Sequence, residues 1–409
     1  MTGFYDILET RSDDERAVDL AKALPAAVAN AKANAVGFAE SFTDIDPAQI
    51  TNVSDLLKLP VLRKARLSKA QKKRRPLGGY AALPMNKVHQ LFQSPGPIYE
   101  MGQRDKDWWR FGRFLNAAGI GKGDIIQNTF SYHFTPAGMM FENGAAAVGA
   151  TIIPTGPGQT ELQAQAVADL GVTAYAGTPD YLGRILEKGD ELGLDLSSIR
   201  AAAVSGGPLF PQMRQAYQDR GIQCLQAYGT AELGSVAYET PAMEGLIVDE
   251  GVIVEIVTPG TGNPVPDGEV GEVVVTSLNP DFPLIRFSTG DLSAIMAGKS
   301  PCGRTNMRIV GWRGRADQAA KVKGMFVRPE QVATLVERHP EVSKVRVEVD
   351  NDGKSDIMRV KLETNDNDCA KYQASIQDVL KLRSEIELCE LGSLPKDGLV
   401  IHDLRELNS

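Results

Sequence analysis

Two short stretches of the chain combine side chains that could bind a nucleotide. In YGTAE (Tyr228–Glu232), an aromatic ring at the end of a predicted strand could stack on a purine, and the glycine after it would let the backbone approach closely. In STGDL (Ser288–Leu292), the Asp291 carboxylate could accept hydrogen bonds from both vicinal hydroxyls of a ribose. Each stretch has a plain alternative, because Tyr228 could be a core tyrosine and Gly-Asp after a strand is often a hairpin turn.

The overall composition is that of an ordinary globular protein and excludes several classes of function. The chain has 409 residues, of which 43% are hydrophobic and 23% charged, a length at which chains usually split into domains. Its formal net charge of −8 argues against nucleic-acid binding, which needs a dominant basic surface. The basic run KAQKKRRP (Lys69–Pro76) is interpreted as a solvated loop or helix end rather than a docking patch.

The sequence predicts neither membrane insertion nor a zinc site. No run of about 18 apolar residues occurs, so no membrane span is expected, and the acidic N-terminus predicts no signal peptide. The cysteines and histidines are scattered, which favours free thiols in a reducing cytoplasm and leaves no local zinc-binding spacing. These residues are Cys224, Cys302, Cys369, Cys389, His89, His133, His339 and His402.

A repeated alternation of strands and helices must position the two stretches. After predicted helices over 13–40 and 107–118, runs such as GDIIQNTFSY and VTAYAGTP are each followed by one helical segment, four times in succession. This βαβ pattern predicts an α/β fold with a parallel sheet covered by helices. Because ligands bind such sheets at the carboxyl ends of the strands, we expect a site among the loops TGPGQT, SGGP and YGTAE.

The character of the sequence changes twice more toward the C-terminus. Residues 245–310 contain strand-like runs separated by Gly/Pro turns and predict a small β-rich subdomain. Residues 318–409 alternate helical and strand-like segments, with an NDG turn between two strands, and predict a compact α+β domain. We therefore expect a large N-terminal domain over 1–316, which includes the β-rich subdomain, and a small C-terminal domain over 317–409.

Three motifs in this order resemble the adenylate-forming ligases, specifically their phenylacetate–CoA ligase branch. They are QAYGTAELG (Gln226–Gly234), FPLIRFSTGDLS (Phe282–Ser293) and GWRGRADQAAKVKGMFVRPEQV (Gly311–Val332). The resemblance runs nearly from end to end and implies the adenylate-forming ligase fold, with an AMP-binding N-terminal domain. It also implies a mobile C-terminal domain that rotates about a hinge at Asp317 between two working positions.

The resemblance implies roles for residues of YGTAE and STGDL. Tyr228 would stack on adenine, Asp291 would clamp the ribose, and Arg315 would reach the ribose or a phosphate. Glu232 would be catalytic by holding the Mg²⁺ that bridges phosphate oxygens, a task suited to a carboxylate. The predicted nucleotide-binding residues are Ser205, Gly206, Gly207, Tyr228, Gly229, Asp291 and Arg315.

The resemblance also implies where the acyl group and coenzyme A bind. The acyl pocket would lie near FSYHFTPAG (Phe130–Gly138) and TGPGQT, and the segment KVKGMFV (Lys321–Val327) would meet the acyl-adenylate and the pantetheine arm. Lys323 is the second expected catalytic residue. His133 could equally be structural, and both lysines of the segment could be solvated charges. The predicted pocket and CoA residues are Tyr132, His133, Phe134, Gly156, Gly158, Lys321 and Gly324.

Two departures from the family affect the handling of ATP phosphates. Relatives carry a phosphate loop of the SSGTTGxP kind, whose amides and hydroxyls hold the β- and γ-phosphates, whereas this chain reads QSPGPIYE (Gln93–Glu100). Each proline removes one N–H donor. Relatives also have Ser or Thr before the magnesium-binding glutamate, where this chain has Ala231.

Two further departures lie near the C-terminus. Relatives end in LPxxxxGKxxR, whose lysine bridges the substrate carboxylate and the α-phosphate, whereas Leu399 follows Gly398 here and Lys396 is the candidate substitute. Losing this lysine and the phosphate grip should slow ATP-driven adenylation by orders of magnitude. Of the histidine and CxC pair that hold zinc in several relatives, only Cys302 remains, so no zinc is expected.

Three functions remain open at this point. The first is an AMP-forming acyl-CoA ligase that converts a small aromatic or short-chain carboxylic acid into an acyl-adenylate and then a CoA thioester. The second is an enzyme that performs only the thioester-forming half, starting from a preformed acyl-adenylate. The third is a non-catalytic protein that binds AMP or an acyl ligand. The expected ligands are ATP or AMP, magnesium and coenzyme A, and relatives in this branch often form a homodimer.

Overall fold

The computed structural model describes residues 3–94, 98–104, 107–316, 319–323, 325–351 and 355–405. Within them no helix is both long and apolar enough to cross a membrane. The chain divides into two compact units, which are described separately. Unit 1 comprises Met1–Val254, Val275–Phe287 and Met296–Gly311, and unit 2 comprises Glu255–Val274, Ser288–Ile295 and Trp312–Ser409.

Local signals explain where several helices begin and end. Ser12 and Glu15 form a reciprocal capping box at the start of the first helix, and left-handed glycines at positions 149, 171 and 193 end three others. The helices are α1 (Asp13–Asn34), α2 (Val36–Ser41), α3 (Lys64–Lys73), α4 (Gly112–Ala117), α5 (Ala137–Val148), α6 (Thr160–Leu170), α7 (Pro179–Leu192), α8 (Pro211–Asp219), α9 (Pro329–Arg338) and α10 (Cys369–Leu380).

Strands are distributed over the whole chain from residue 62 onward. They are β1 (Leu62–Arg63), β2 (Gln90–Ser94), β3 (Ile98–Gly102), β4 (Ile125–Asn128), β5 (Thr151–Pro154), β6 (Ala174–Gly177), β7 (Ala201–Val204), β8 (Gln223–Thr230), β9 (Gly234–Tyr238), β10 (Leu246–Val248), β11 (Val252–Val257), β12 (Gly271–Ser277), β13 (Phe287–Ser293), β14 (Ile295–Met296), β15 (Arg308–Ile309), β16 (Ala320–Val322), β17 (Met325–Val327), β18 (Lys344–Asn351), β19 (Asp356–Glu363), β20 (Glu385–Cys389) and β21 (Ile401–Asp403).

The largest sheet follows the order β14-β15-β10-β9-β8-β7-β6-β4-β5. Strands β5, β4, β6, β7 and β8 pair in parallel, which confirms the predicted βαβ fold. Strands β6 and β7 are buried along their whole length, as expected for parallel strands with helices on both faces. Beyond β8 the sheet continues with antiparallel pairs: β8 with β9, β9 with β10, and β10 with β15.

Smaller sheets also occur among the described residues. One has the order β1-β13-β12-β11, and β2 and β3 form a separate two-stranded hairpin. The strands predicted as one β-rich subdomain over 245–310 are therefore divided, because β10 and β15 join the large sheet whereas β11, β12 and β13 pair with one another.

Unit 2 contains a four-stranded sheet in the order β20-β19-β18-β21, together with α9, α10 and the β16–β17 hairpin. Its core is built on aliphatic side chains of β18 and β19 with Tyr372 and Ile376 of α10. This is the α+β arrangement predicted for the C-terminal residues. Asp317 lies outside the described residues. The predicted boundary between residues 316 and 317 and the hinge role of Asp317 therefore remain predictions.

Candidate functional site

The principal candidate site is a cavity of about 570 Å³ in unit 1, at the carboxyl ends of the parallel strands. Its walls come from the segments that follow β4, β5, β6 and β7, from the end of β8, and from one face of α5. The lining residues are Ser94, Phe111, Thr129, Phe130, Ser131, Thr135, Pro136, Ala137, Met140, Phe141, Pro157, Thr178, Asp180, Tyr181, Ser205, Gly206, Gly229, Thr230 and Ala231.

The apolar wall of the cavity is rigid because its aromatic rings pack on one another. Phe130 and Phe141 stack with ring centroids 4.6 Å apart, and Phe111 lies 4.6 Å from Phe141 on another side. All three rings are buried and belong to the core cluster that joins α4 and α5 to the sheet. Such a wall suits a compact apolar or aromatic group rather than a charged one.

The polar wall contains two of the predicted nucleotide-binding loops, SGGP and YGTAE. Ser205 Oγ donates a 2.8 Å hydrogen bond to the carbonyl of Ala227, which ties the SGGP loop to β8. A β-bulge between Tyr228 and Gly229 shifts the pairing of β8 with β9 and brings the backbone from Gly229 to Ala231 to the cavity. A Cβ on Gly229 would lie 2.7 Å from the carbonyl oxygen of Gly234, so this turn requires glycine.

Other predicted nucleotide residues of unit 1 lie beside the cavity rather than on its surface. Tyr228 is half-buried in β8, one residue before the cavity-lining Gly229. Gly207 is half-buried next to Pro179 and is not part of the lining, whereas its neighbour Gly206 is. The adenine-binding role of these residues stays a prediction.

Glu232 is buried directly after the lining residue Ala231, and its counter-ion is a lysine that the sequence did not single out. Lys64 Nζ, at the start of α3, lies 2.8 Å from Glu232 Oε1, in an ion pair without hydrogen-bond geometry. Glu232 Oε2 is buried and has no hydrogen-bond partner among the described residues. An orphaned carboxylate oxygen next to the cavity fits the predicted Mg²⁺, which often takes one or two protein carboxylates and completes its shell with phosphates and water.

A second buried acid belongs to the same polar cluster. Ser94, at the end of β2, donates a 2.5 Å hydrogen bond to Glu100 Oε1 on β3. Burial is the main cause that raises the pKa of Glu100 to about 8; the Ser94 hydrogen bond and Lys64 oppose this rise, and the Glu232 carboxylate adds to it. Glu100 is therefore a neutral acid at neutral pH. Residues Pro95–Pro97 of the predicted phosphate loop, which connect β2 and β3, lie outside the described part of the chain.

The predicted acyl-pocket residues are placed differently from expectation. Tyr132 accepts a hydrogen bond from Asn128 Nδ2, and burial raises its pKa. His133 and Phe134 point to solvent, with Phe134 76% exposed at a left-handed φ of 60°. None of the three lines the cavity; Ser131 and Thr135 do. The predicted loop therefore borders the cavity, but the left-handed turn at Phe134 leaves different side chains of the loop facing it. The acyl-binding role of the loop stays a prediction.

The predicted glycines of the TGPGQT loop shape the loop rather than line the cavity. Gly156 and Gly158 both have left-handed φ values, and their carbonyls accept hydrogen bonds from Gln163 Nε2 at 2.8 and 2.6 Å. The Tyr181 hydroxyl donates to Gly158 as well. This bonding fixes the loop so that Pro157, between the glycines, faces the cavity.

The predicted ribose-binding pair lies in unit 2. Asp291 Oδ1 accepts hydrogen bonds from Arg315 Nη1 at 3.1 Å and from Trp312 Nε1 at 3.0 Å. The backbones of Asp291 and Arg315 form an antiparallel bridge, which brings together two residues that are far apart in the motifs. Trp312 was not predicted as a site residue, because its only signal in the sequence is its position two residues before the GRAD stretch.

The predicted CoA-side residues are exposed in unit 2. Lys321 and Lys323 lie on the β16–β17 hairpin, where the left-handed backbone at Lys323 donates a hydrogen bond from its amide to Asp356. Gly324 lies outside the described residues. Lys396, the candidate substitute for the missing lysine, pairs with Glu269 at 2.6 Å.

No group of three or more His, Cys, Asp or Glu side chains that could hold a metal occurs among the described residues. The cysteines are free thiols. Burial alone would raise the pKa of the Cys302 thiol, but hydrogen bonds from the Ser300 hydroxyl, the Arg304 backbone and side chain, and the Thr240 side chain together lower it.

Comparisons with known proteins add to this geometry. Residues 106–279 match the family described as AMP-binding enzyme. The chain is similar to the phenylacetate-coenzyme A ligase of Escherichia coli (strain K12), with 28% identity over 98% of both chains. It is also similar to the phenylacetate-coenzyme A ligase of Aromatoleum evansii, with 29% identity over 89% of this chain and 85% of that protein.

A solved structure shows the same fold. An open conformation of 2-hydroxyisobutyryl-CoA ligase, in complex with 2-HIB-AMP and CoA, matches with a TM-score of 0.72 at 21% identity, over 95% of this chain and 91% of that chain. The predicted adenylate-forming ligase fold is therefore confirmed.

Proposed function

Because the chain is a phenylacetate–CoA ligase-like member of the adenylate-forming enzymes, we propose that it is an AMP-forming acyl-CoA ligase. A carboxylate oxygen would attack the α-phosphorus of ATP, giving an acyl-adenylate and pyrophosphate. The thiol of coenzyme A would then attack the acyl carbon, giving a thioester and AMP. The proposal is carried by one observation: the same cavity is lined by an aromatic wall and by the strand-end loops after β7 and β8.

The residues of this chain would act mainly by binding and orienting. In unit 1, Tyr228 would stack on adenine and the backbone of the Ser205–Gly207 loop would line the adenine pocket. In unit 2, Asp291 and Arg315 would bind the ribose. Glu232 would hold Mg²⁺, which supplies Lewis-acid stabilisation of charge on the phosphate oxygens.

The substrate acid is proposed to be small and apolar, either aromatic or short-chain. Phe111, Phe130, Met140 and Phe141 form one side of the cavity, and their buried surfaces would exclude water from the acyl group. Exclusion of water protects a reactive acyl-adenylate from hydrolysis and strengthens electrostatic interactions at the reacting atoms.

A second candidate is the thioester-forming half alone, and two observations favour it. Ala231 lines the cavity and offers no hydroxyl beside Glu232. Lys396 is paired with Glu269, and Leu399 stands where relatives have their adenylation lysine. An enzyme with these changes would still accept a preformed acyl-adenylate and transfer its acyl group to coenzyme A.

The deciding experiment supplies the purified protein with coenzyme A and a panel of aromatic and short-chain acids. One arm contains Mg·ATP and the free acids, and the other contains the matching synthetic acyl-adenylates. Thioester and AMP are quantified by chromatography. Product in both arms supports the full ligase, product only from acyl-adenylates supports the half-reaction, and product in neither arm contradicts both.

A matched pair of variants links the activity to the cavity. Tyr228→Ala is expected to abolish product formation, whereas Phe4→Ala, which removes an exposed ring outside both the cavity lining and the predicted site loops, is expected to leave it unchanged. We further propose a cytoplasmic protein without a structural zinc and without nucleic-acid binding, and a homodimer as the assembly to test by light scattering.

A further inference from the structure

The segment that contains α3 is strongly basic, although the protein as a whole is acidic. Residues 63–75 contain eight lysines and arginines and no acidic residue, although the formal net charge of the chain is −8. A run of this kind on a solvated helix would scatter its charges around the axis. Here several of them converge on one side, and the proposed catalytic roles use none of these converging residues.

The convergence creates a groove between α2 and α3, named here the α2–α3 groove. Its cavity of about 500 Å³ is lined by Arg66, Lys69, Lys73 and Arg74 and by one acid, Glu40. The four cations and one acid leave the lining with a formal charge of +3. Lys72, on the same helix, does not line the groove.

The cations of the groove are only weakly neutralised by the protein itself. Lys69 and Lys73 are exposed and form no ion pair with any residue the structure describes. Arg66 donates to the hydroxyl of Ser41 at 2.8 Å, not to an acid. Arg74 pairs with Glu40 at 3.2 Å, and both side chains are at least half exposed, so this pair stabilises little. The groove therefore presents its charge to solvent.

The floor of the groove is preformed rather than collapsed. The buried ring of Tyr80 packs edge-on against Phe38, with centroids 5.1 Å apart. Gly37 permits this contact, because a Cβ there would lie 2.8 Å from the Tyr80 ring. A rigid floor under flexible cations lets a ligand bind without reorganising the backbone.

We propose that the α2–α3 groove binds the 3′-phosphate and 5′-diphosphate of coenzyme A. Guanidinium and ammonium groups that converge on one cavity recognise multiply charged phosphates. The ten-residue helix α3 is roughly 15 Å long and starts at Lys64, which contacts Glu232. The groove extends along α3 from Arg66 to Arg74, so its far end, at Lys73 and Arg74, is set apart from the candidate metal site by most of the helix length. The pantetheine arm likewise sets the phosphates of coenzyme A apart from its thiol.

The identity of this ligand rests on the proposed function, whereas phosphate binding by the groove does not. Calorimetry at constant ionic strength would measure binding of adenosine 3′,5′-bisphosphate, ATP and pyrophosphate to the parent protein, to Lys69→Glu/Lys73→Glu, and to the control Lys72→Glu. The bisphosphate is expected to bind the parent and to lose about tenfold or more in affinity in the double variant, with Lys72→Glu close to the parent.

Steady-state kinetics with coenzyme A and dephospho-coenzyme A would complete the test. The double variant should raise the KM for coenzyme A, leave kcat unchanged, and remove the preference over the dephospho form. An equal effect of Lys72→Glu, an equal loss of ATP or pyrophosphate affinity, or no bisphosphate binding would each overturn the assignment. If the bisphosphate responds as expected but no acid is turned over, the groove stands and the proposed reaction fails.

Discussion

Lys64 Nζ lies 2.8 Å from Glu232 Oε1, so a lysine at the start of α3 neutralises the buried acid that is expected to bind magnesium. The Glu232 side chain is 1% exposed, whereas that of Lys64 is 34% exposed. The acid is thus fixed in the protein while the lysine can leave toward solvent. The pair explains how an isolated carboxylate is tolerated beside an apolar cavity, and it makes Lys64 a competitor of any cation that binds there.

Replacing Lys64 should destabilise the protein because it leaves the Glu232 charge buried without a partner. We expect Lys64→Gln to lower the free energy of unfolding by about 2 kcal/mol, measured by urea denaturation. The control Lys72→Gln, an exposed lysine on the same helix, should change it by less than about 0.5 kcal/mol. In the Glu232→Gln background the effect of Lys64→Gln should nearly vanish, and equal effects in both backgrounds would refute the coupling.

The same pair predicts a difference in the response to magnesium. In the parent protein a bound Mg²⁺ would share the Glu232 carboxylate with Lys64, whereas in Lys64→Gln the carboxylate has no competing cation. Millimolar MgCl₂ should therefore raise the Tm of Lys64→Gln more than that of the parent, because a ligand stabilises the state that binds it. Glu232→Gln should not respond. Equal Tm shifts in all three proteins would show that magnesium binds elsewhere.

Burial of Glu100 predicts a pH-dependent stability. Its pKa is raised from an ordinary 4.5 to about 8, so the folded state keeps this proton while the unfolded state loses it. Stability should therefore fall as pH rises from about 4.5 to about 8, and level off above that. Glu100→Gln should remove the penalty and gain on the order of 3 kcal/mol over the parent at pH 8, with little difference at pH 4.5.

Urea unfolding of parent and variant across this pH range would measure the effect. The exposed acid Glu161 gives a matched acid-to-amide control, since Glu161→Gln should show no such pH-dependent gain. A constant difference between Glu100→Gln and the parent at every pH would mean that Glu100 is ionised in the folded protein.

The ribose-binding role of Asp291 predicts a specific loss of hydroxyl recognition. Asp291→Asn replaces one acceptor oxygen, and we expect it to weaken AMP binding about tenfold. Binding of 2′,3′-dideoxy-AMP, which lacks both hydroxyls, should change much less. Calorimetry with both nucleotides would measure this, with the exposed Asp267→Asn as control. If both nucleotides weaken equally, the substitution has acted on the fold through Trp312 and Arg315 rather than on the ribose.

The parallel sheet could be predicted from the sequence, because the patterns that indicate its strands and helices are local. Strands such as β6 and helices such as α7 follow from apolar runs and helical periodicity within a few residues. The helix predicted over 107–118 is shorter in the structure, where α4 spans Gly112–Ala117. Asp107 and Arg110 adopt left-handed φ values of 60° and 64°, which no local sequence pattern predicts.

Contacts between distant parts of the chain could not be predicted from local sequence patterns. Nothing near Lys64 indicates that its partner is Glu232, and nothing near Glu100 indicates that it is buried in the same cluster. The division of the predicted β-rich subdomain between two sheets has the same cause, since β10 pairs with β9 and β15 through tertiary packing. The sequence could nominate the strand-end loops, but it could not assign which of their side chains face the cavity.

Restoring the hydroxyl that relatives carry before the magnesium-binding glutamate should strengthen the adenylation step. Ala231 lines the cavity directly before Glu232, so a serine there would present a hydroxyl to the α-phosphate. One hydrogen bond to a charged oxygen contributes about 1.5 kcal/mol, and we expect Ala231→Ser to raise ATP-dependent thioester formation about tenfold. Thioester formation from a preformed acyl-adenylate should not change, because the phosphate chemistry is already complete. Ala137→Ser places the same hydroxyl on another wall of the same cavity and should raise neither reaction. If Ala231→Ser accelerates both reactions equally, the hydroxyl acts on the acyl group or the fold, and the loss of the family's Ser or Thr does not explain a weakened adenylation step.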